Sequence, residues 1–177
     1  MSEFWKRGYD ATGLANLERA TQLGRQSLYG AFGNKRALFS QVVEHYFARV
    51  LKPAIVDVLD APGSGRANIE RVLAQWAETA GSAEFNGCLV GNAMAELGLR
   101  DRELSVLLQR KLDLLEAAFG RALRRAKRAG EVRADLDVRA AARTLLTMAQ
   151  GLAVVARVQR DSAFVRDVIT VARQSLD

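Results

Sequence analysis

Two short apolar runs separated by Gln22-Leu23-Gly24 constrain this chain more than any other feature. Leu14, Leu17 and Ala20 recur at helical spacing and predict one short helix, for which the Thr12 side-chain oxygen is a suitable cap. The next run starts near Arg25 and turns Leu28 and Phe32 inward, leaving Arg25, Gln26, Ser27 and Tyr29 on the other side. A helix that only packs has no use for hydrogen-bonding side chains gathered at its first turn. A helix-turn-helix does, because the N-terminal residues of its second helix meet base edges in the major groove.

The rest of the chain predicts an all-α protein. Of its 177 residues, 49% are hydrophobic and only two are prolines, which excludes disorder, and no alternating strand pattern runs beyond a few residues. No stretch reaches about 18 uninterrupted apolar residues, and no basic region precedes an apolar one at the N-terminus, so a soluble cytoplasmic protein without membrane contact is expected. The single cysteine excludes an intrachain disulfide framework and any CxxC pair. His45 stands alone between Glu44 and Tyr46, so neither a transition-metal site nor a Ser-His-Asp triad has its parts. The expectation is no enzyme, no cofactor and no metal.

A net charge of +6 favours polyanions without locating the contact. Between Arg25 and Arg36 there are three cations and no acid, which suits a phosphate-facing surface. The denser run from Arg121 to Arg133 reads instead as the solvated face and last turn of a long helix, where cations complement the dipole.

From Asn34 to Leu51 apolar residues recur at three- and four-residue spacing, which predicts a connecting helix with Pro53 near its end. Ala61-Pro62-Gly63-Ser64-Gly65 is a break. Five further helices are expected: one from about Ile69 to Ala80, one from Cys88 to Leu97, one from Leu104 to the stop at Gly130, one from Val138 to Ala156, and one around Phe164–Ala172. The fourth of these is apolar on more than one face, with Ala153 to Ala156 consecutive, and its small residues suit a close contact between subunits.

Taken together, Gly8-Tyr9, Thr12, Leu17, Arg25, Ser27-Leu28-Tyr29, Phe32, Lys35, Leu38 and Phe39 resemble the N-terminal domain of the tetracycline-repressor (TetR) family of transcriptional regulators. The resemblance implies a helix-turn-helix DNA-binding domain over residues 1–46 and a helical ligand-binding and dimerisation domain over 47–177. It further implies a homodimer formed by the last two helices, double-stranded palindromic operator DNA as partner, and a small-molecule inducer. Departures are visible. Gln22 stands where the family usually has a left-handed Gly, and Gly24 where it usually has a capping Ser or Thr. Met1-Ser2-Glu3-Phe4-Trp5 looks like only the last turn of the family's first helix. The expected consequence is exposed apolar surface worth several kcal/mol at about 25 cal/mol per Å², and the alternative reading is a helical dimeric ligand-binding protein with impaired DNA binding.

By carry-over from the family positions, Arg25, Gln26 and Ser27 are expected to face bases, and Thr12, Tyr29 and Lys35 to hold phosphates. For the inducer, the resemblance places a cavity among the middle helices and points to Trp76, Met94, Phe119 and Met148. Cys88, Asn92 and Glu96 form a polar ladder on one helix face, which serves either hydrogen bonding within the core or a cavity wall, so Cys88 and Asn92 join the ligand candidates. Asn86–Asn92 also resembles a segment in a subset of the family with electrophile-sensing members; an inert, buried Cys88 is the preferred expectation. No charged group is clearly trapped among these residues, which favours an uncharged or weakly polar ligand.

Overall fold

The computed structural model describes residues 1–82, 84–159 and 161–177, and among them there are helices and connections but no strand. Helix α1 (Ser2–Arg7) is short, yet its Phe4 is buried edge-on against Phe39, with ring centroids 5.0 Å apart. Helices α2 (Leu14–Thr21) and α3 (Arg25–Phe32) follow the expected break, with Leu17 and Leu28 as inward anchors. Ala20 remains exposed.

The expected cap on α2 is absent. Gly13 is the N-cap, its amide donating to Asn16 Oδ1 at 3.0 Å, while Thr12 is fully buried and donates its hydroxyl to the Gly8 carbonyl at 2.6 Å. Thr12 stands one residue before the capping position, so its side chain turns back to Gly8 instead of capping α2.

The connector does not stop near Leu51. Helix α4 (Lys35–Tyr46), capped by the Asn34 side chain on the Ala37 amide, passes without a break into a π-helical stretch, Phe47–Val56, and then into the single turn α5 (Asp57–Asp60). Pro53 lies inside this rod. An α-register would set its ring against the carbonyl four residues back and leave that carbonyl unpaired. The wider register avoids the conflict, and the Asp57 amide reaches Lys52 O, five residues back.

Beyond Ser64, which caps it, α6 (Gly65–Ala80) is followed by α7 (Leu89–Leu97), α8 (Arg102–Arg128), α9 (Val138–Val155) and α10 (Ser162–Gln174). Asp101, Asp137 and Asp161 cap the last three through their carboxylates, which explains why these helices start where they do. Helix α8 is the spine: Leu104, Leu108, Leu115, Phe119 and Leu123 are all buried on it, and α6 and α9 pack along it.

The basic run keeps most of its cations exposed, as expected, and two of them also bind a neighbouring helix end. Arg121 grips the Asp60 carboxylate with two bonds of 2.8 and 2.7 Å, and Arg125 donates to the Leu59 and Ala61 carbonyls. These cations complete the C-terminal end of α5. Arginine at the dipole's negative end is the expected chemistry, applied here to a neighbouring helix.

Candidate nucleic-acid interface and effector cavity

The turn between α2 and α3 is made by Gln22 at φ 57°, ψ 23°, the one left-handed non-glycine residue among those described. Gly24 then precedes α3 in extended conformation and supplies no side-chain cap. The first amides of α3 are therefore left for an outside acceptor, and anions suit such a helix end. Around it Arg25, Gln26 and Ser27 are exposed. Tyr29 is half-buried one turn on, with the Arg25 guanidinium 5.8 Å from its ring centroid. Lys35 lies beyond α3, its ammonium 4.6 Å from the Tyr9 ring centroid and bonded to the Asp10 carbonyl at 3.3 Å. Five of the six DNA candidates thus have accessible polar groups beside α3. Thr12 does not: its hydroxyl is sealed inside, so its expected phosphate contact is withdrawn.

Behind this unit, α7 serves as its docking strip. The Glu96 carboxylate accepts from the Tyr9 amide at 2.8 Å and the Asp10 amide at 2.6 Å. Gly8, at φ 84°, turns those two amides toward it, and a Cβ on Gly8 would come within 2.8 Å of Glu96 Oε2. Arg100 pairs with the Asp10 side chain. At the other end of the strip, the Trp5 indole donates to the Gly87 carbonyl at 2.9 Å. Asn92 bonds the Asn86 carbonyl at 3.0 Å and so shapes the same loop. The polar ladder on α7 therefore holds the N-terminal unit through Glu96 and its own entry loop through Asn92. Only Cys88 reaches a cavity.

That cavity, of about 140 Å³, lies between α1, the connector, α6 and α9. Trp5, Tyr46, Val50, Ile55, Trp76 and Phe85 give its wall an aromatic and aliphatic character, Gln75, Thr79 and Gln150 add uncharged polar groups, and none of its lining side chains among the described residues is charged. Of the expected ligand residues, Trp76 and Cys88 line it. Phe119 is fully buried behind Trp76, its ring 5.8 Å away edge-on. Asn92, Met94 and Met148 are not on the wall: Asn92 is committed to the loop, and the two methionines are half-buried against the packed core. Ala153 also departs from expectation. It faces the cavity and is buried, whereas Thr144, Thr147, Gly151, Val154 and Val158 form the exposed stripe.

Most wall residues are not singled out by the sequence, Tyr46, Trp5 and Gln150 among them. Tyr46 is hidden in the connector's apolar stripe, and Trp5 gives no separate signal. Gln150 does give one, as a lone amide between Ala149 and Leu152 on an inward face. Burial pushes the Cys88 thiol above its ordinary range, against the pull of the Gly91 and Val90 amides and the Tyr46 and Gln150 side chains. Burial raises Tyr46 as well. Both are neutral at physiological pH, which keeps the cavity uncharged.

A polar first turn on a docked helix-turn-helix, carried by a helical body with its own cavity, is the arrangement of a DNA-binding transcriptional regulator. The chain belongs to the TetR family. Residues 1–42 match the family described as bacterial regulatory proteins, tetR family, and residues 65–172 match the tetracyclin repressor-like C-terminal domain. The HTH-type transcriptional regulator YezE of Bacillus subtilis is 32% identical over 98% of this chain and 90% of its own length. The HTH-type transcriptional repressor ComR of Escherichia coli is 27% identical over 89% of this chain and 75% of its own. Among solved structures, the TetR family regulator CifR, a cysteine mutant complexed with 26 bp of double-strand operator DNA, superposes with a TM-score of 0.83 at 28% identity, covering 98% of this chain and 91% of CifR.

Proposed function

We propose that the protein is a repressor that binds a palindromic operator as a homodimer and is released by a small molecule. The observation that carries this reading is the shared wall of the cavity. Trp5 belongs to the helix-turn-helix unit, Tyr46 to the connector, and Trp76 and Gln150 to the helical body, so an occupant touches the parts that aim α3. Arg25, Gln26 and Ser27 face base edges, with Tyr29 and Lys35 on phosphates. Among relatives, ComR is named a transcriptional repressor, and CifR holds operator DNA. For dimerisation, the exposed stripe on α9 runs through Gly151 and Val154, with Val171 exposed on α10. Small and β-branched residues let two helices approach closely.

Selection of bound duplexes from a random pool tests the reading. The expected product is an inverted repeat whose half-sites lie about one helical turn, or a multiple, apart. Arg25→Ala should lose about 1–3 kcal/mol on that sequence and little on random DNA. In sedimentation, Val154→Arg should give monomers, because it places an unpaired charge in the proposed contact. Recovery of a single asymmetric site, or an unaffected dimer for Val154→Arg, refutes the corresponding part.

A further inference from the structure

We propose that Arg100 keeps Lys35 free for a DNA phosphate by holding the Asp10 carboxylate away from it. This deepens the reading above and rests on its assignment of Lys35 to a phosphate. The Lys35 ammonium has two neutral partners, the Tyr9 ring at 4.6 Å and the Asp10 carbonyl at 3.3 Å. Among the described residues Lys35 enters no ion pair, so its charge stays uncompensated. The cations around it are treated differently. Arg36 pairs with Glu103 at 3.1 Å, Lys111 with Glu44 at 2.6 Å, and Arg100 with Asp10.

The neutral partners also hold the ammonium in place. The Tyr9 ring stands edge-on against Phe39, with centroids 5.0 Å apart, and the Tyr9 and Asp10 amides donate to Glu96. A lysine stem fixed in this way has already given up part of the rotamer freedom that binding would otherwise cost. Its ammonium carries three donors, of which the carbonyl takes one.

Asp10 is the acid placed to undo this arrangement. Its carboxylate belongs to the residue whose carbonyl Lys35 already uses, and turned toward the ammonium it would compete with any phosphate. Arg100, in the connection between α7 and α8, takes that carboxylate instead. Both side chains are largely exposed, so the pair contributes little to stability. Its use lies in where it directs the negative charge.

The test measures affinity of the whole protein for the operator recovered by selection, over a range of salt concentrations. Lys35→Ala should weaken binding about tenfold and lower the slope of log affinity against log salt by about 0.9 per protomer. Arg100→Ala should weaken binding about threefold, the scale of one exposed ion pair. Adding Asp10→Asn to Arg100→Ala should restore the parent affinity, because the competing charge is gone. A pair that only docked the helix-turn-helix unit predicts no such recovery, since the double variant lacks the pair as well. In a Lys35→Ala background, Arg100→Ala should have no further effect. Arg102→Ala removes an exposed cation two residues away and gauges the long-range field; it should cost less than Arg100→Ala. Parent-like binding by Arg100→Ala, a loss that Asp10→Asn leaves in place, a loss that persists without Lys35, or an equal loss for Arg102→Ala overturns the proposal. If Lys35→Ala itself leaves affinity and salt slope unchanged, the phosphate assignment falls and the proposal with it. If Lys35 counts and Arg100 does not, the proposal alone falls.

Discussion

Glu96→Ala should cut the main tether between the helix-turn-helix unit and the helical body. The parent carboxylate takes two backbone amides, at 2.8 Å from Tyr9 and 2.6 Å from Asp10. A hydrogen bond to a charged group contributes about 1.5–3 kcal/mol when shielded from water. The Tyr9 bond is partly buried, so about 2 kcal/mol applies; the Asp10 bond is exposed and water replaces it, so about 1 kcal/mol applies. The loss of about 3 kcal/mol corresponds to about 6–12 °C in melting temperature for a domain of this size. Glu96→Gln keeps one acceptor but aims an amide N–H at the second donor, and should fall between the two. The Trp5–Gly87 bond and the Asp10–Arg100 pair remain, so the unit stays docked but opens more often. Thermal melts followed by circular dichroism, with amide exchange at Tyr9 and Asp10 set against Leu17, measure both effects. If Glu96→Ala melts within about 1 °C of the parent with unchanged exchange at Tyr9 and Asp10, the tether has been misread.

Gln22→Gly should stabilise the protein by up to about 1 kcal/mol in a denaturant titration, because the left-handed conformation at φ 57° strains any residue with a Cβ; a loss of stability would refute this. Acid should unfold the protein partly through Asp60, whose carboxyl is held below its ordinary range first by its hydrogen bond to Arg121 and also by the charges of Arg121, Arg125 and Lys52. A depressed folded value means that this stability is present above the ordinary aspartate range and lost as pH falls through the folded value. Asp60→Asn should therefore flatten the melting-temperature profile below about pH 4, and an unchanged profile would count against the Asp60–Arg121 pair. Cys88 should resist brief treatment with a mild alkylating agent at neutral pH, since burial raises its thiol; rapid stoichiometric labelling in mass spectrometry would contradict that.

Periodicity revealed where helices lie and which side faces in. The spacing of Leu104 to Leu123 sufficed for α8, and Gly130, at φ 70°, marks its end. What periodicity does not encode is whether an inward face meets another side chain or a void. Met94, Met148 and Trp76 look alike in the sequence, yet only Trp76 borders the space where the connector, α6 and α9 do not close on one another. Thr12 failed for a related reason. Its position suggests a cap, but the helix starts one residue later than the spacing suggests, with Gly13 at the cap and the Thr12 side chain turned back into the core. Pro53 reads as a stop because a proline breaks an α-register. The chain continues by widening its helix, a choice stabilised by the core contacts of Phe47, Leu51 and Ile55. Glu96 stood out as polar on an apolar helix, but its partners lie more than eighty residues away in sequence.

The presence of Trp5 in the cavity wall has a consequence for measurement. If a cavity ligand releases DNA, as proposed, occupancy of the cavity and seating of the helix-turn-helix share the Trp5 side chain, and the two equilibria would be linked through direct contact with no relay across the core. Linkage is reciprocal: whatever factor a cavity ligand takes from DNA affinity, bound DNA must take from ligand affinity. On that reading the protein on DNA would be a weaker binder of the same molecule than the free protein. The concentration at which half of the free protein is filled underestimates the concentration needed to clear a promoter, by a margin that grows with the tightness of the site. One protein would in this way set different response thresholds at strong and weak sites without any change in its own sequence.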